Sequence, residues 1–377
     1  MYVLDSKRRL GDLPHGSKEF WKMSKKLMLG ADKRIAIPAL KYSILRDDDT
    51  CISQWAKTPL EKANLFSSTF RQKWVLPAAE CNLYTNSSSA RSVPRRGMLQ
   101  LRSRSAFYYL SHLDPTSATG PDGLSTTLLR KIADVIRFAF ARLARRILEC
   151  GAWPNIWKNH WLYPLFKRDS RNVPQNYRAL HITSQLSKAM ERFLGIHFLD
   201  HLSFAGCFGD SQFAYRKYHG ARDAVLYVVL VWLLAFAHGR KVGTYCSDVT
   251  SAFIRVSFWK LMAKLRESVI HEDLADVIAD WLIGRRGQVI IEGVSSDDFD
   301  LKNMTFQGTV WGPALWNLFF SDAPLAMRKC AFKEIIFADD LNAYREFANG
   351  TSTEFVLGQL HRCQNELHQW AGKFCLV

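Results

Sequence analysis

Three carboxylates stand where an apolar strand would not place them, and they constrain this chain more than any other feature. Val242, Thr244 and Cys246 alternate with Gly243, Tyr245 and Ser247, a period of two that predicts a β-strand with Asp248 at its end. Downstream, Glu334–Tyr344 carries apolar arms on either side of Asp339 and Asp340, which predicts strand, tight turn, strand. Asp is common in turns because it bonds its own backbone, so the second segment alone also reads as an ordinary hairpin tip. Taken with Asp248, it points to cation chemistry. Hard divalent ions take carboxylate oxygens, and Mg²⁺ usually binds one or two of them plus substrate phosphates. Two such ions about 3.5–4 Å apart activate an attacking hydroxyl and stabilise the leaving oxygen of an in-line displacement at phosphorus.

The rest of the chain alternates strand and helix signals. Ser125 is a candidate helix cap ahead of a helix-period run through Leu128, Leu129, Ile132, Val135, Ile136, Leu143 and Ile147, ended by Gly151. Further helices are expected at Ser184–Leu202, Arg222–His238, Phe258–Glu267, Asp273–Leu282, Gly312–Ser321 and Glu354–Trp370. A strand at Gln288–Glu292 is expected to pair with Phe299–Met304. The layout predicts an α+β fold, a small antiparallel sheet backed by helices. The polar stretch NSSSARSVPRRG reads as a linker, which divides the chain into an N-terminal extension over residues 1–104 and a main domain over 105–377.

Lys and Arg number 51 against 35 Asp and Glu, a formal charge of +16, so a polyanionic partner is the economical expectation. Nucleic acid fits better than a membrane. The longest apolar run, Val225–Ala237, is shorter than the roughly 18–20 residues a bilayer crossing needs and is expected to be a buried core helix. The N-terminus carries charges where a signal peptide would be apolar, so an intracellular, unsecreted protein is expected. The eight cysteines form no CxxC pair, against a zinc ribbon or disulfide framework, and most are expected to be buried. No GxxxxGK[ST] segment marks a P-loop nucleotidase.

The residues around the carboxylates carry a more specific signal. SDVTSAF, FQGTVWGPALWNLFF and FADD, in that order, resemble motifs A, B and C of reverse transcriptases, in wording close to that of non-LTR, LINE-like retrotransposons. Upstream, TGPDGLS, LYPLFKR, NYRALHITSQLSKAMERFL and SQFAYRKYHGARDAV follow the family's order as well. The resemblance implies right-hand polymerase fingers and palm. It implies an RNA-directed DNA polymerase that adds dNMP to a primer 3′-hydroxyl with two Mg²⁺ ions, Mn²⁺ being a substitute, and takes an RNA template, a DNA primer and dNTPs. Asp248 and Asp339 would bind both metals, with the Val249 carbonyl as a further ligand and Asp340 in support. Phe253 would be the aromatic gate that excludes a ribose 2′-hydroxyl, which argues against an RNA-directed RNA polymerase. Lys167 and Arg178 would hold the triphosphate, with Arg168 an alternative to Lys167, and Gln307 and Gly308 would lie beside the nucleotide and template. Gly312 and Pro313 would open the next helix or serve it structurally.

Two departures qualify that expectation. Ile254 stands where relatives commonly carry an acid. The chain stops at GKFCLV, where relatives continue into a primer grip and thumb, and no endonuclease precedes the N-terminal part. A catalytically silent remnant that only binds nucleic acid is therefore the alternative expectation, with salt-sensitive binding as its signature.

Overall fold

A computed structural model describes residues 36–45, 51–74, 99–249, 252–268 and 270–373, with isolated positions 10, 12, 13, 17, 19 and 20. The predicted linker, with Arg91, Arg95 and Arg96, lies outside the described residues. The chain forms two compact units. One takes the described residues of Met1–Thr58 together with Arg168–Asn176. Its strands β1 (Leu40–Leu45) and β2 (Cys51–Ala56) pair antiparallel, Leu40 opposite Ala56. Asn172 pins the ribbon through its carbonyl to the Lys41 N–H (2.7 Å) and its side-chain amide to the Ala39 carbonyl (2.9 Å).

The larger unit, Pro59–Lys167 with Tyr177–Val377, holds two sheets. In the first, β3 (Asn159–Phe166) pairs antiparallel with β4 (Tyr177–Ile182) and parallel with β6 (Arg285–Ile291), which β7 (Val294–Ser295) and β8 (Phe299–Leu301) join antiparallel. Leu301 faces Arg285 and Phe299 faces Gly287, so Phe299–Leu301 pairs with the residues just before the expected Gln288–Glu292 segment, whose end, Ile290 and Ile291, pairs instead with the nearer β7. The second sheet is wholly antiparallel, in the order β5 (Arg240–Asp248), β10 (Asp340–Ala348), β9 (Lys333–Phe337).

Twelve helices of the larger unit are described: α1 (Pro59–Lys73), α2 (Ser103–Ser111), α3 (Thr126–Lys131), α4 (Ala133–Cys150), α5 (Gln185–Gly195), α6 (Leu199–Phe204), α7 (Ala221–Ala237), α8 (Phe258–Glu267), α9 (Glu272–Leu282), α10 (Gly312–Phe320), α11 (Ala323–Arg328) and α12 (Thr353–Lys373). The Ser125 side chain caps α3 by accepting from the Leu128 N–H, and α4 ends on Gly151 at φ +59, a left-handed cap that suits a residue without Cβ. The single run expected there breaks at Ile132, and the one from Ser184 breaks after Gly195.

The core around α9 and α10 is aromatic. Trp281 and Trp311 are fully buried with ring centroids 5.4 Å apart, and Trp153 lies 5.0 Å from Trp311. A buried Arg285 stacks on Trp281 (4.3 Å) and Phe306 (4.6 Å) and donates to the Trp281 carbonyl at 2.6 Å. The fully buried Glu191 carboxylate accepts from the Val310 N–H (2.6 Å), the Trp281 Nε1–H (3.3 Å) and Ser187 Oγ (3.2 Å). Buried charges persist when every oxygen is bonded and an opposite charge is near, and Glu191 meets both conditions at the start of α10.

Two expectations are corrected. The apolar run Val225–Ala237 forms α7 but is not a buried core helix: Ala224 and Ala235 are its buried residues, while Val225, Leu226, Leu230, Leu233, Leu234 and Phe236 are exposed. A run apolar on every face resembles a buried helix, but this one rests on a single three-stranded sheet that covers only one side. Of the described cysteines, Cys330 and Cys363 are buried, Cys207 is half-buried, and Cys150 and Cys246 are exposed.

Candidate active site

The second sheet brings the three carboxylates to one end. Asp248, the last residue of β5, lies directly opposite Asp340, the first residue of β10. Directly opposed residues project to the same face, and like charges so placed repel. Asp339 occupies the turn of the β9–β10 hairpin, where Phe337 pairs with Asp340 and leaves two residues, Ala338 and Asp339, in the loop. The Asp339 carboxyl is pushed above its ordinary range, first by burial and then by the charges of Asp248 and Asp340, an effect that Lys167 opposes. Local negative charge is thus left undercompensated.

Among the described residues, no three His, Cys, Asp or Glu side chains converge closely enough to enclose a metal ion by themselves. The site is open. Its donors are nonetheless the hard oxygens that suit Mg²⁺, an ion that keeps several waters and fills its shell with substrate phosphates rather than a full protein cage. Three carboxylates so placed, with the Asp339 carboxyl pKa raised by burial and then by the charges of its two neighbours, fit a cation that arrives with a polyphosphate.

The other predicted residues distribute as follows. Val249 is half-buried directly after Asp248. Phe253 lies on a 3₁₀ turn (Ala252–Ile254), 7% exposed, its ring stacked on Trp316 at 5.6 Å and edge-on to Tyr215 at 6.2 Å. Its carbonyl accepts from the Thr305 N–H at 2.9 Å, which ties the turn to the segment before Gln307. Gln307 and Gly308 are exposed. Gly308 has φ +84, and a Cβ there would sit 2.7 Å from the His181 carbonyl oxygen, so both conformation and space demand glycine. At Gly312 a Cβ would collide with the Thr305 carbonyl oxygen, and Pro313 follows in the first turn of α10, where its missing N–H is harmless. This pair shapes the helix entry.

Lys167 is exposed at the end of β3 and lies near enough to Asp339 for its charge to act there. Arg168 pairs with Asp169 at 3.7 Å. Arg178 is exposed on β4, opposite Leu165. The structure brings Asp248, Asp339, Asp340 and Lys167 into one electrostatic neighbourhood and gives Arg178 no described contact with them.

Sequence reasoning passed over three residues at this site. Tyr215, half-exposed at φ +57, has its hydroxyl pKa raised by burial and by Asp339. Gln212 and Trp316 bond the backbone of Ala338. All lie inside segments that were recognised as motifs, but nothing in the local pattern says which member of each touches the hairpin.

Residues 166–376 match the reverse transcriptase (RNA-dependent DNA polymerase) family. Over 279 residues the chain is 25% identical to the RNA-directed DNA polymerase from mobile element jockey of Drosophila melanogaster, covering 72% of this chain and 30% of that protein. It is 23% identical over 274 residues to the probable RNA-directed DNA polymerase from transposon BS of the same fly, covering 71% and 30%. With the Pol polyprotein from type-1 retrotransposable element R1 of Bradysia coprophila it shares 25% identity over 265 residues, covering 68% and 25%. The chain thus spans less than a third of the length of these curated relatives. The family match takes in more than half of the chain, including both strands that carry the carboxylates, and the chain belongs to the reverse transcriptase family.

Proposed function

We propose that residues 105–377 are the fingers and palm of a right-hand, RNA-directed DNA polymerase that joins dNMP to a primer 3′-hydroxyl with two divalent ions. The observation that carries this reading is the placement of Asp248 opposite Asp340 at one sheet end, with Asp339 on the adjoining turn and its carboxyl pKa raised by burial and then by both neighbours. Asp248 and Asp339 hold the ions, with the Val249 carbonyl, and Asp340 adds charge beside them. When bound, Mg²⁺ lowers the pKa of the attacking hydroxyl and offsets charge on the transferring phosphoryl group.

The chain's own residues do the rest. Lys167, whose charge already reaches Asp339, and Arg178 hold the triphosphate oxygens, a compact ammonium and a planar guanidinium suited to that task. Phe253 fills the space a ribose 2′-hydroxyl would need. Gly308 lets the backbone lie close under a base, and Gln307 offers an exposed amide next to it. RNA template, DNA primer and dNTPs are the partners, and the +16 charge suits them.

Incorporation of a labelled dNTP on an RNA template and DNA primer with Mg²⁺, beside an Asp339→Ala, Asp340→Ala control, tests the reading. Activity in the parent and none in the control is expected. Salt-sensitive RNA binding without incorporation in either would replace the polymerase with a silent nucleic-acid binder.

A further inference from the structure

Ala338 is the odd residue of the hairpin. It has φ +61, the left-handed region that a residue with a Cβ seldom adopts, and two-residue hairpin turns ordinarily place Asn, Asp or Gly there. No glycine eases this turn. Side chains from elsewhere hold it. The amide of Gln212, 2% exposed, accepts from the Ala338 N–H through Oε1 (2.9 Å) and donates from Nε2 to the Ala338 carbonyl (3.2 Å). One side chain thereby meets both backbone groups of the residue, as a neighbouring strand would. The Trp316 indole N–H donates to the same carbonyl at 3.1 Å, which supplies a second donor for its second lone pair.

These holders are themselves fixed. Ile336 donates to the Ser211 carbonyl (2.8 Å) and accepts from the Phe213 N–H (2.9 Å), a parallel bridge that lays Gln212 along β9. Gln212 Oε1 also accepts from the Ala214 N–H at 3.0 Å, and the buried Asn317 amide donates to the Ala214 carbonyl at 2.9 Å. Trp316 and Asn317 are adjacent on α10, so one helix grips both the hairpin and the segment that clamps it.

From this geometry we infer that Gln212, with Trp316, is a positioning residue: it holds Ala338 in its left-handed conformation, and so sets where the Asp339 carboxylate stands relative to Asp248. The function assigned to the clamp rests on the polymerase reading of those carboxylates, whereas its structural part does not. Gln212 touches no reacting atom. Its effect reaches the site through the two peptide units that flank the Ala338 Cα, and a side chain close in size but without the amide removes that clamp together with the bond to the Ala214 N–H.

The test compares the parent with Gln212→Met and Trp316→Phe by three readouts. Hydrogen exchange on the metal-free protein reads the Ala338 amide. Gln212→Met is expected to speed exchange there by about tenfold, the scale of one lost hydrogen bond, with the peptides of α8 and α9 unchanged. Mn²⁺ titration followed by electron paramagnetic resonance, with dNTP present, is expected to show weaker binding in both variants. In primer extension, kcat of Gln212→Met should fall by about tenfold or more while the dNTP KM stays within about twofold, because this variant leaves the triphosphate contacts and the Phe253–Trp316 stack untouched.

Adding Ala338→Gly to Gln212→Met should recover part of the lost Mn²⁺ affinity, since glycine adopts the left-handed turn without a clamp. A merely structural glutamine gives no such rescue. Unchanged exchange at Ala338 in both variants overturns the inference, as does faster exchange throughout the unit without rescue. Should Gln212→Met fail to fold, Trp316→Phe, which keeps an aromatic ring but loses the N–H together with part of the indole's volume, carries the comparison, and the Ala338→Gly rescue separates the lost bond from the lost packing. A parent that binds no Mn²⁺ rejects the polymerase reading of the site, while the exchange result still decides whether the clamp exists.

Discussion

The two flanks of the β5–β10–β9 sheet are built on opposite terms. At the carboxylate end, one buried amide and an indole N–H bond the backbone of a two-residue turn, and each bond has a fixed direction. Against the sheet, α7 is held by non-directional packing: Ala224 meets Ile335 and Tyr344, with Val228, Val231, Val242 and Phe337 around them. The first arrangement sets position, and the second sets only contact. Both leave something unresolved in the isolated chain, undercompensated charge at the turn and an uncovered apolar row, Leu226, Leu230, Leu233 and Leu234, on the helix. A small sheet is therefore enough to present a reaction site, provided the precision comes from side chains that bond its backbone rather than from the mass of its core.

The contrast can be broken most sharply at the carboxylates. Asp248→Ala or Asp339→Ala is expected to cut dNTP incorporation by about 10³-fold or more, a loss of several kcal/mol of charge stabilisation, with circular dichroism unchanged. Ala224→Glu, on the packed face of α7, should destabilise the fold by about 2–4 kcal/mol through overpacking and a buried charge, read by urea unfolding. Phe253→Ala should narrow the preference for dNTP over NTP by about tenfold in competition assays, while Trp316 keeps its bond to the hairpin.

Two smaller effects sharpen the comparison. The folded-state pKa of Asp339 is raised, so its ionisation disfavours the fold at neutral pH and this penalty disappears below the ordinary carboxylate pKa. Asp339→Asn should accordingly raise the metal-free melting temperature at pH 7, and the gain should vanish as pH falls below about 4. A parent with the higher melting temperature at pH 7 would contradict the assigned cause. On the outer face of α7, Leu230→Lys should change stability by less than about 0.5 kcal/mol and reduce light scattering at high protein concentration.

Much of this was legible in the residues. The 3.6-residue period gave α8 its observed bounds, Phe258–Glu267, and the apolar arms around Asp339 and Asp340 gave the hairpin, because both signals are local. The parallel pairing of β3 with β6 was not legible, since it joins Asn159 to Arg286 across more than a hundred residues. The exposure of α7 was hidden by its uniform apolarity. Gln212 illustrates a third limit: its role depends on where β9 runs beside it, which no pattern in SQFAYRK states. Asp248, Asp339 and Asp340 stood out as candidates because a charge in an apolar strand is conspicuous. Arg178 was found by motif alone, and the described contacts do not yet join it to the carboxylates.

The shortness of the hairpin turn has a consequence for how this sequence tolerates insertion and deletion. With two residues between Phe337 and Asp340 there is no slack to absorb a change of length. Removing or adding one residue between Phe337 and Leu341 would either open the turn or slide β10 by one position against β5, and a slide by one sends every side chain of a strand to the opposite face. The carboxylates are addressed by counting along the strand, so a single-codon deletion here would leave the composition almost untouched and still take Asp340 off the face it shares with Asp248.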